Sequence, residues 1–366
     1  MITTTTKVLI TGGAGFIGRH VALGAPDDWT MTAIDILHPQ VHADVDADRA
    51  RFPGRVIEED VSTPSTWDGL ERPDLVIHLA AETGTAQSMY ETDRYTRVNV
   101  EGTRLAVQAA RHWGVPIIAT SSRAVYGGGR WRLPDGSVEF GVPSDPAAIP
   151  ENSRETDDHA PVSVYGQTKS QAEEILTEAS AEIPVTIFRP QNVIGPGQAL
   201  HNPYTGVLAA WLAMLKEHRP ITVYGDGSQT RDFIHVDDLA AMIRWAAQNP
   251  SELGHPRVLN AGSGVRTTLV ELAQYCIDGS PVDEDPGITH VDITRAGDID
   301  HACADMSLAR RLGAPMPRWS TADAVADFIV DGWDQPGAKA SAWDDALDEL
   351  AEHGMTGHNA DSGATA

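Results

Sequence analysis

Tyr165 and Lys169 stand four residues apart in Tyr-Gly-Gln-Thr-Lys, and a helix puts positions i and i+4 on one face. A free phenol ionises near pH 10 and is a poor base at neutrality. Lowering that value by roughly three units takes about 4 kcal/mol of differential stabilisation of the phenolate. One cation about 4 Å away at an intermediate dielectric supplies an energy of that order. The pair is therefore a candidate tyrosinate base. Ser122, in Thr120-Ser-Ser-Arg-Ala-Val-Tyr-Gly127, is its candidate partner. The serine hydroxyl could hold a substrate hydroxyl or keto oxygen while Tyr165 moves the proton. Lys169 could also reach a cofactor ribose.

A second pattern indicates which cofactor that would be. Val8-Leu-Ile-Thr-Gly-Gly-Ala-Gly-Phe-Ile-Gly18 is an apolar strand running into glycines and a helix. The spacing is Gly12-x-x-Gly15-x-x-Gly18, with Phe16 and Ile17 opening the helix. Glycines there allow a tight turn and close approach of a pyrophosphate to the N–H groups of the helix start. Asp35 ends the next strand pattern, where a carboxylate can accept hydrogen bonds from adenosine ribose hydroxyls. Ile36 and Leu37 follow it and offer no charge to a 2′-phosphate. NAD is expected over NADP.

These residues need a frame. The first half of the chain alternates strand and helix patterns, which implies a doubly wound, parallel α/β sheet of Rossmann type. Strands are expected at 7–11, 31–35, 55–61, 74–80, 115–121 and 184–189, and helices at 15–23, 88–113 and 164–179. Ser122 then falls at the carboxyl edge of a strand, where ligands collect in open α/β sheets. Residues 127–161 are rich in Gly and Pro without clear periodicity, and a loop of that length reads as a cover over the site. Later segments (helices at 202–218 and 236–248, short elements at 221–224, 258–261, 267–278 and 308–312) suit a smaller α/β lobe. The expected division is 1–188 with 230–262 for NAD, 189–229 with 263–335 for the substrate, and 336–366 for a helix and a disordered tail. Trp343, Leu347 and Leu350 mark one apolar face of that helix.

The chain has 366 residues, 22% charged and 41% hydrophobic, the composition of an ordinary globule with a large core. Its formal charge of −25 argues against nucleic acid or an acidic membrane surface as partner. Only Lys7, Lys169, Lys216 and Lys339 are lysines, so a lysine inside a catalytic pattern stands out. No apolar run reaches the roughly 20 residues of a membrane span. Two cysteines, Cys276 and Cys303, are too few for a disulfide framework. The N-terminus has no apolar signal core, and a cytoplasmic protein is expected. His38 and His42 lack a third ligand at suitable spacing, so no metal is expected.

The ordered set of motifs resembles the extended short-chain dehydrogenase/reductases, in particular the NAD-dependent sugar epimerase/dehydratase family. It comprises TGGAGFIG at 11–18, Asp60-Val61, HLAA at 78–81, Asn99 in NVEGT and SSRAVYG at 121–127. YGQTK at 165–169, RPQNVIGPGQ at 189–198 and GDGSQTRDFIHVDD at 225–238 complete it. The resemblance implies that Asp60 and Val61 flank the adenine, and that Ala80, Ala81 and Asn99 belong to the NAD site. It implies substrate contacts from Thr83, Asn192, Arg231 and Arg295, with arginine forks suited to phosphate oxygens. Asp232, His235 and Asp237 are read instead as hydrogen-bonding groups that close the interface between lobes. Asp300 stands where relatives often carry arginine.

Relatives share oxidation at sugar C4 and then diverge. Dehydratases need an acid and a base beside the catalytic Ser/Thr, whereas Arg123 and Ala124 stand here. The expected activity is therefore a nucleotide-sugar 4-epimerase acting through a transient 4-keto sugar. Segments 35–42, 81–89 and 121–127 resemble the dTDP-L-rhamnose 4-epimerase branch, with UDP-hexoses as the other substrate type. An NAD(P)H-dependent 4-ketosugar reductase and a catalytically idle NAD-binding protein are the alternatives. Relatives dimerise through helices corresponding to 88–113 and 164–179, which implies a homodimer.

Overall fold

The computed structural model describes residues 5–202, 206–295, 297–336 and 339–357. Seven parallel strands form the central sheet, in the spatial order Arg257–Ala261, Val185–Pro190, Ile117–Thr120, Leu75–His78, Thr6–Thr11, Trp29–Asp35, Arg55–Glu58. Their sequences are near-continuous apolar runs because both faces are covered; Ile10, Ile77, Ile117 and Ile187 are fully buried. The doubly wound α/β expectation is met.

The chain winds outward from Thr6–Thr11 in one direction and then returns to build the other half. Thr6–Thr11 and Leu75–His78 therefore flank a topological switch point, the place where such sheets bind ligands. Their registers align Thr11 with both Ile34 and His78. The loops after all three strands consequently open at the same edge. Thr11 fastens that edge: its Oγ1 meets His78 Nδ1 at 2.7 Å and accepts from the Leu79 and Ala80 N–H groups at 3.2 Å. Burial holds the His78 imidazole down to about 3, with Lys169 adding to the effect.

Three expectations about elements need correction. The helix expected over 88–113 is broken into Thr85–Ser88, Thr92–Tyr95, a wider π turn at Thr96–Glu101 and Gly102–Trp113. Residues 127–161 are not an open loop. They hold a three-stranded antiparallel sheet of Arg130–Arg132, Val138–Phe140 and Ile149–Glu151, tied by Arg130 to Glu151 and Asp157. None of residues 128–161 lines the main cleft, so this sheet is no cover. Thr356–Gly357, placed in the expected tail, pairs with Thr294–Arg295; residues 358–366 of that tail lie outside the described residues.

A second core lies beyond the sheet, where Leu208, Trp211 and Leu215 of helix Val207–Lys216 pack with Leu272, Val325 and Phe328. Asp232 joins the late segments, accepting from the N–H groups of Ser263, Gly264 and Ala304 at 2.7–3.1 Å. His235 stacks on Trp319 at 4.1 Å and meets Asp327 at 3.1 Å. Asp237 meets His20 at 2.7 Å. Asp232 and His235 thus reach the late segments at 263–264, 304 and 319–327, whereas Asp237, expected to close the same interface, bonds His20 of the first helix instead.

Candidate active site

The switch-point loops, the start of helix Val164–Ala179 and the late segments enclose one large cleft of about 1190 Å³. At its floor Gly12 has φ +67, and a Cβ there would lie 2.8 Å from the Ala80 nitrogen. Gly18 is equally constrained, since its Cβ would come 2.4 Å from the Gly12 carbonyl oxygen. The glycine turn is thus pressed onto Ala80 and onto the first helix, Phe16–Leu23, leaving room for a pyrophosphate at that helix start. Gly15, Phe16, Ile17, Ala80 and Ala81 line the same part of the cleft.

Asp35 is oriented before any ligand arrives. Its carboxylate accepts from Ala14 N–H at 3.1 Å and Leu37 N–H at 2.9 Å. His42 approaches it at 3.5 Å and bonds Asp48 at 3.0 Å. Although burial opposes protonation of His42, these carboxylates outweigh it and raise the imidazole above its ordinary value. His42 is therefore a bracing group, and no metal cluster occurs among the described residues. Asp60 spends its carboxylate on Ser62 and on Arg97. Burial would raise its pKa, but those bonds outweigh it and keep it below the carboxylate norm. Asp60 and Val61 both border the cleft.

Asn99 is elsewhere. It is 1% exposed and absent from the cleft wall. Its amide donates to the Glu82 carbonyl at 3.1 Å and Thr168 Oγ1 at 3.0 Å, and accepts from Glu82 N–H at 2.8 Å. The cofactor contact expected of Asn99 is corrected to a brace between the Glu82 loop and the catalytic helix. Both amide N–H groups and one acceptor position of its oxygen are engaged by those bonds.

Ser122, Tyr165 and Lys169 do converge on the cleft. Ser163 caps the helix by accepting from Gly166 N–H at 3.1 Å, so Tyr165 emerges in its first turn. Burial raises the phenol above its ordinary value, and a hydrogen bond from Ser122 and the charge of Arg123 pull it back. Lys169 is 5% exposed and its Nζ donates to the Thr120 carbonyl at 3.0 Å. Burial lowers the ammonium to about 8, opposed by Glu173.

Arg231 and Arg295 border the other end of the cleft with Asn192. Arg231 donates to the carbonyls of Thr230 and Asp300 at 3.0 and 3.1 Å. Burial, and next Arg123, push it down to about 10. Arg295 bonds Asp298 at 3.0 Å and lies over the Tyr224 ring at 5.2 Å. Asn192 donates to the Asp232 carbonyl at 3.0 Å. Thr83 also lines the cleft, its carbonyl accepting from the Tyr95 hydroxyl at 2.6 Å.

Taken together, the floor of the cleft fits a dinucleotide, and Ser122, Tyr165 and Lys169 line the same cleft. A profile of the NAD dependent epimerase/dehydratase family matches residues 8–262. The chain belongs to that family. NAD is its cofactor type, and the cradle of Gly12, Gly18 and Asp35 fits it. The chain is 36% identical over 349 residues to a dTDP-L-rhamnose 4-epimerase of Burkholderia thailandensis, covering 88% of this chain and 93% of the relative. Among solved structures it resembles UDP-glucose 4-epimerase of Thermotoga maritima with UDP-glucose, at TM-score 0.74 and 25% identity, covering 89% and 98%. It also resembles MoeE5 in complex with UDP-glucose and NAD, at TM-score 0.72 and 27% identity, covering 88% and 97%.

Sequence patterns missed part of this family member's cleft. Trp343, Asp344 and Leu347 of helix Ala340–Glu352 form wall. Arg219 holds Asp344 at 3.6 Å, and beyond the helix His353 stacks on Tyr90 at 4.6 Å. The last described segment therefore closes part of the cleft, held by Arg219 at Asp344 and by Tyr90 at His353. Its amphipathic spacing was visible, but the face it seals depends on tertiary packing.

Proposed function

We propose that the protein is a nucleotide-sugar 4-epimerase, and that residues 1–188 with 230–262 bind NAD while 189–229 with 263–335 bind the nucleotide sugar. The observation that carries this reading is the convergence of Ser122 and Tyr165 on the cleft that holds the glycine cradle, with Arg123 and Ala124 where elimination would need acidic groups. Gly12, Gly15, Phe16, Ile17, Gly18, Asp35, Asp60, Val61, Ala80 and Ala81 would hold the cofactor. When bound, NAD supplies the acceptor, and later the donor, of the C4 hydride. Ser122 orients the sugar's C4 oxygen, and Tyr165 takes the proton from it and afterwards returns it. Lys169, fixed to Thr120, presents a cation towards the ribose side. Arg231 and Arg295 face the diphosphate, and Thr83 and Asn192 border the substrate. The 4-keto sugar turns over in the wide cleft before the hydride returns to its other face.

The best-matching substrate type is dTDP-L-rhamnose, with UDP-hexoses next, on the strength of the 36% relative. Incubation with dTDP-L-rhamnose, UDP-glucose and UDP-galactose, followed by NMR resolution of epimers, tests it. Inversion at C4 without consumption of reduced cofactor supports the epimerase. Stoichiometric NAD(P)H consumption would make the protein a ketosugar reductase, and no turnover of any nucleotide sugar would leave a binding protein.

A homodimer through helices Gly102–Trp113 and Val164–Ala179 belongs to the same reading. A monomeric mass by light scattering at micromolar concentration would oppose it. A reducing, cytoplasmic setting suits two free, buried cysteines, Cys276 and Cys303. No described helix is long and apolar enough to cross a membrane.

A further inference from the structure

Two loops that meet at the cleft are left without a task by the reading above. The first follows Asp35 directly and runs to His42. Leu37 turns it: φ is +51 at a residue only 3% exposed, a left-handed conformation that bulky side chains seldom adopt. Asp35 supports the turn by accepting from Leu37 N–H, and the His38 carbonyl accepts from the N–H groups of Val41 and His42, each at 2.9 Å. Gln40 N–H donates to His38 Nδ1 at 3.2 Å. The loop is thus braced internally, and its tip at Pro39 and Gln40 is held in one orientation.

Three bonds join this side of the cleft to the second loop, residues 195–202, which belongs to the substrate side. Gln40 Nε2 donates to Asn202 Oδ1 at 3.2 Å, and the Pro39 carbonyl accepts from His201 Nε2 at 3.1 Å. Arg19, which follows Gly18 of the cradle, donates to the Gly197 carbonyl at 3.0 Å. That last approach requires a glycine. Gly197 has φ +79, and a Cβ on it would run into the Arg19 guanidinium.

Each anchor is secured from behind. Asp48 holds Arg19 at 3.1 Å, and Asp331 accepts from Gly197 N–H at 2.7 Å. Gln40 Nε2 also donates to Gln87 Oε1 at 2.9 Å, while its Oε1 accepts from Arg94 at 3.3 Å. Both polar atoms of the Gln40 amide are therefore engaged by protein groups. Gln40, Arg94, Gly197 and Asn202 all line the cleft. Arg19 and Gln40 are anchored on the segments that carry the glycine cradle and Asp35, so the cross-links sit at both features assigned to the cofactor.

We propose that Gln40 is a positioning residue that latches these two loops over the bound dinucleotide, so that NAD enters and leaves only when the Gln40–Asn202 bond opens. The inference rests on the cradle and Asp35 holding NAD, and it does not depend on what happens to the sugar. Gln40 acts through Asn202 and Gln87, and opening of such closures limits release in many enzymes. A latch made between protein groups gives no contact that favours the loaded over the empty form, so it slows entry and exit alike. A cofactor ligand behaves differently: its loss speeds release and leaves entry unchanged.

Exchange of labelled NAD from the loaded protein against excess unlabelled NAD reads the release rate, and equilibrium titration gives Kd and hence the entry rate. Gln40→Ala is expected to speed release about tenfold, the equivalent of one good hydrogen bond, with Kd changed less than about threefold. Asn202→Ala should also speed release, and the double variant should exchange no faster than Gln40→Ala alone, because both changes remove one bond. Asn202→Asp keeps the acceptor and should retain slow exchange, which a general loosening of the lobes would not allow. Melting curves establish that each variant is folded.

Unchanged exchange in folded Gln40→Ala protein, faster release with a matching rise in Kd, or additive effects in the double variant would overturn the proposal. Titration of the native protein separates the two readings. NAD binding with unchanged exchange in the variants removes the latch alone, whereas no NAD binding to the native protein removes the cofactor cradle and the latch together. The exchange needs no nucleotide sugar, so a changed rate without C4 inversion would sustain the latch while the epimerase reading fails.

Discussion

The Asn99 amide holds Thr168 Oγ1 at 3.0 Å and the Glu82 backbone at 2.8 and 3.1 Å. One buried side chain thereby joins the loop at the switch point to the helix that carries Tyr165 and Lys169. Cofactor floor and catalytic helix keep their spacing through it.

Replacing Asn99 by Ala strands the Glu82 N–H and carbonyl in a buried setting, at a cost of about 1–3 kcal/mol. The prediction is a loss of that size in urea unfolding, with kcat falling more than NAD affinity. If NAD affinity alone collapsed, Asn99 would be a cofactor ligand after all.

Gly166 supplies a second check on the same geometry. Its Cβ in a Gly166→Ala protein would meet the Ala124 carbonyl at 2.6 Å, so the helix must back away from the serine turn. Alanine favours a helix by about 1 kcal/mol over glycine, but overpacking typically costs 1–3 kcal/mol. Stability should therefore change little or fall, whereas kcat should drop at least about tenfold, because small misplacements of a reacting group are costly. Steady-state rates beside a melting curve separate the two effects.

Lys169 is held charged in a buried place, and the consequence for stability has a definite sign. Its folded pKa of about 8 lies below the ordinary lysine value of 10.5. Between those values the unfolded chain binds more protons than the native one, so the lysine's contribution to stability rises with pH there. Below about pH 8 the full penalty is present, of order 3 kcal/mol, partly offset by the bond to Thr120. NAD-free Lys169→Met protein should therefore melt above the native protein at pH 7, and the gap should narrow from about pH 8 to 10.5. Melting curves across that range check it; a gap that widens with pH would contradict the burial argument.

Asp35 should decide cofactor choice. Loss of its carboxylate in Asp35→Ala removes a charged acceptor worth about 1.5–3 kcal/mol, and also frees Ala14 and Leu37 N–H. Calorimetry should find NAD binding weakened roughly 10- to 100-fold, with NADP affected less. Equal losses for both would remove the ribose assignment.

Much of this site was legible in short patterns because backbone geometry dictates them. A strand, three spaced glycines and a following acid specify a dinucleotide turn, and Tyr165 with Lys169 share a helical face. Long-range partners were not legible. Nothing in Tyr-Gly-Gln-Thr-Lys says that Lys169 will bond Thr120. Asn99 was read as a cofactor residue because motif position does not reveal that its amide is engaged by Glu82 and Thr168. The small sheet from Arg130 to Glu151 escaped notice because strands of three residues are too short to show a period. Trp343 showed its amphipathic spacing, but which face of the fold it would seal is settled only by packing.

The central claim is proton removal at the sugar's C4 hydroxyl followed by return of the same C4 hydrogen to the other face. Nucleotide sugar deuterated at C4, incubated in ordinary water and read by NMR and mass spectrometry, tests it most directly. The account predicts the C4 epimer with its deuterium retained at C4, and loss of that product in Tyr165→Phe. An epimer whose C4 deuterium has washed out to solvent, or an absence of any C4 epimer, would contradict it.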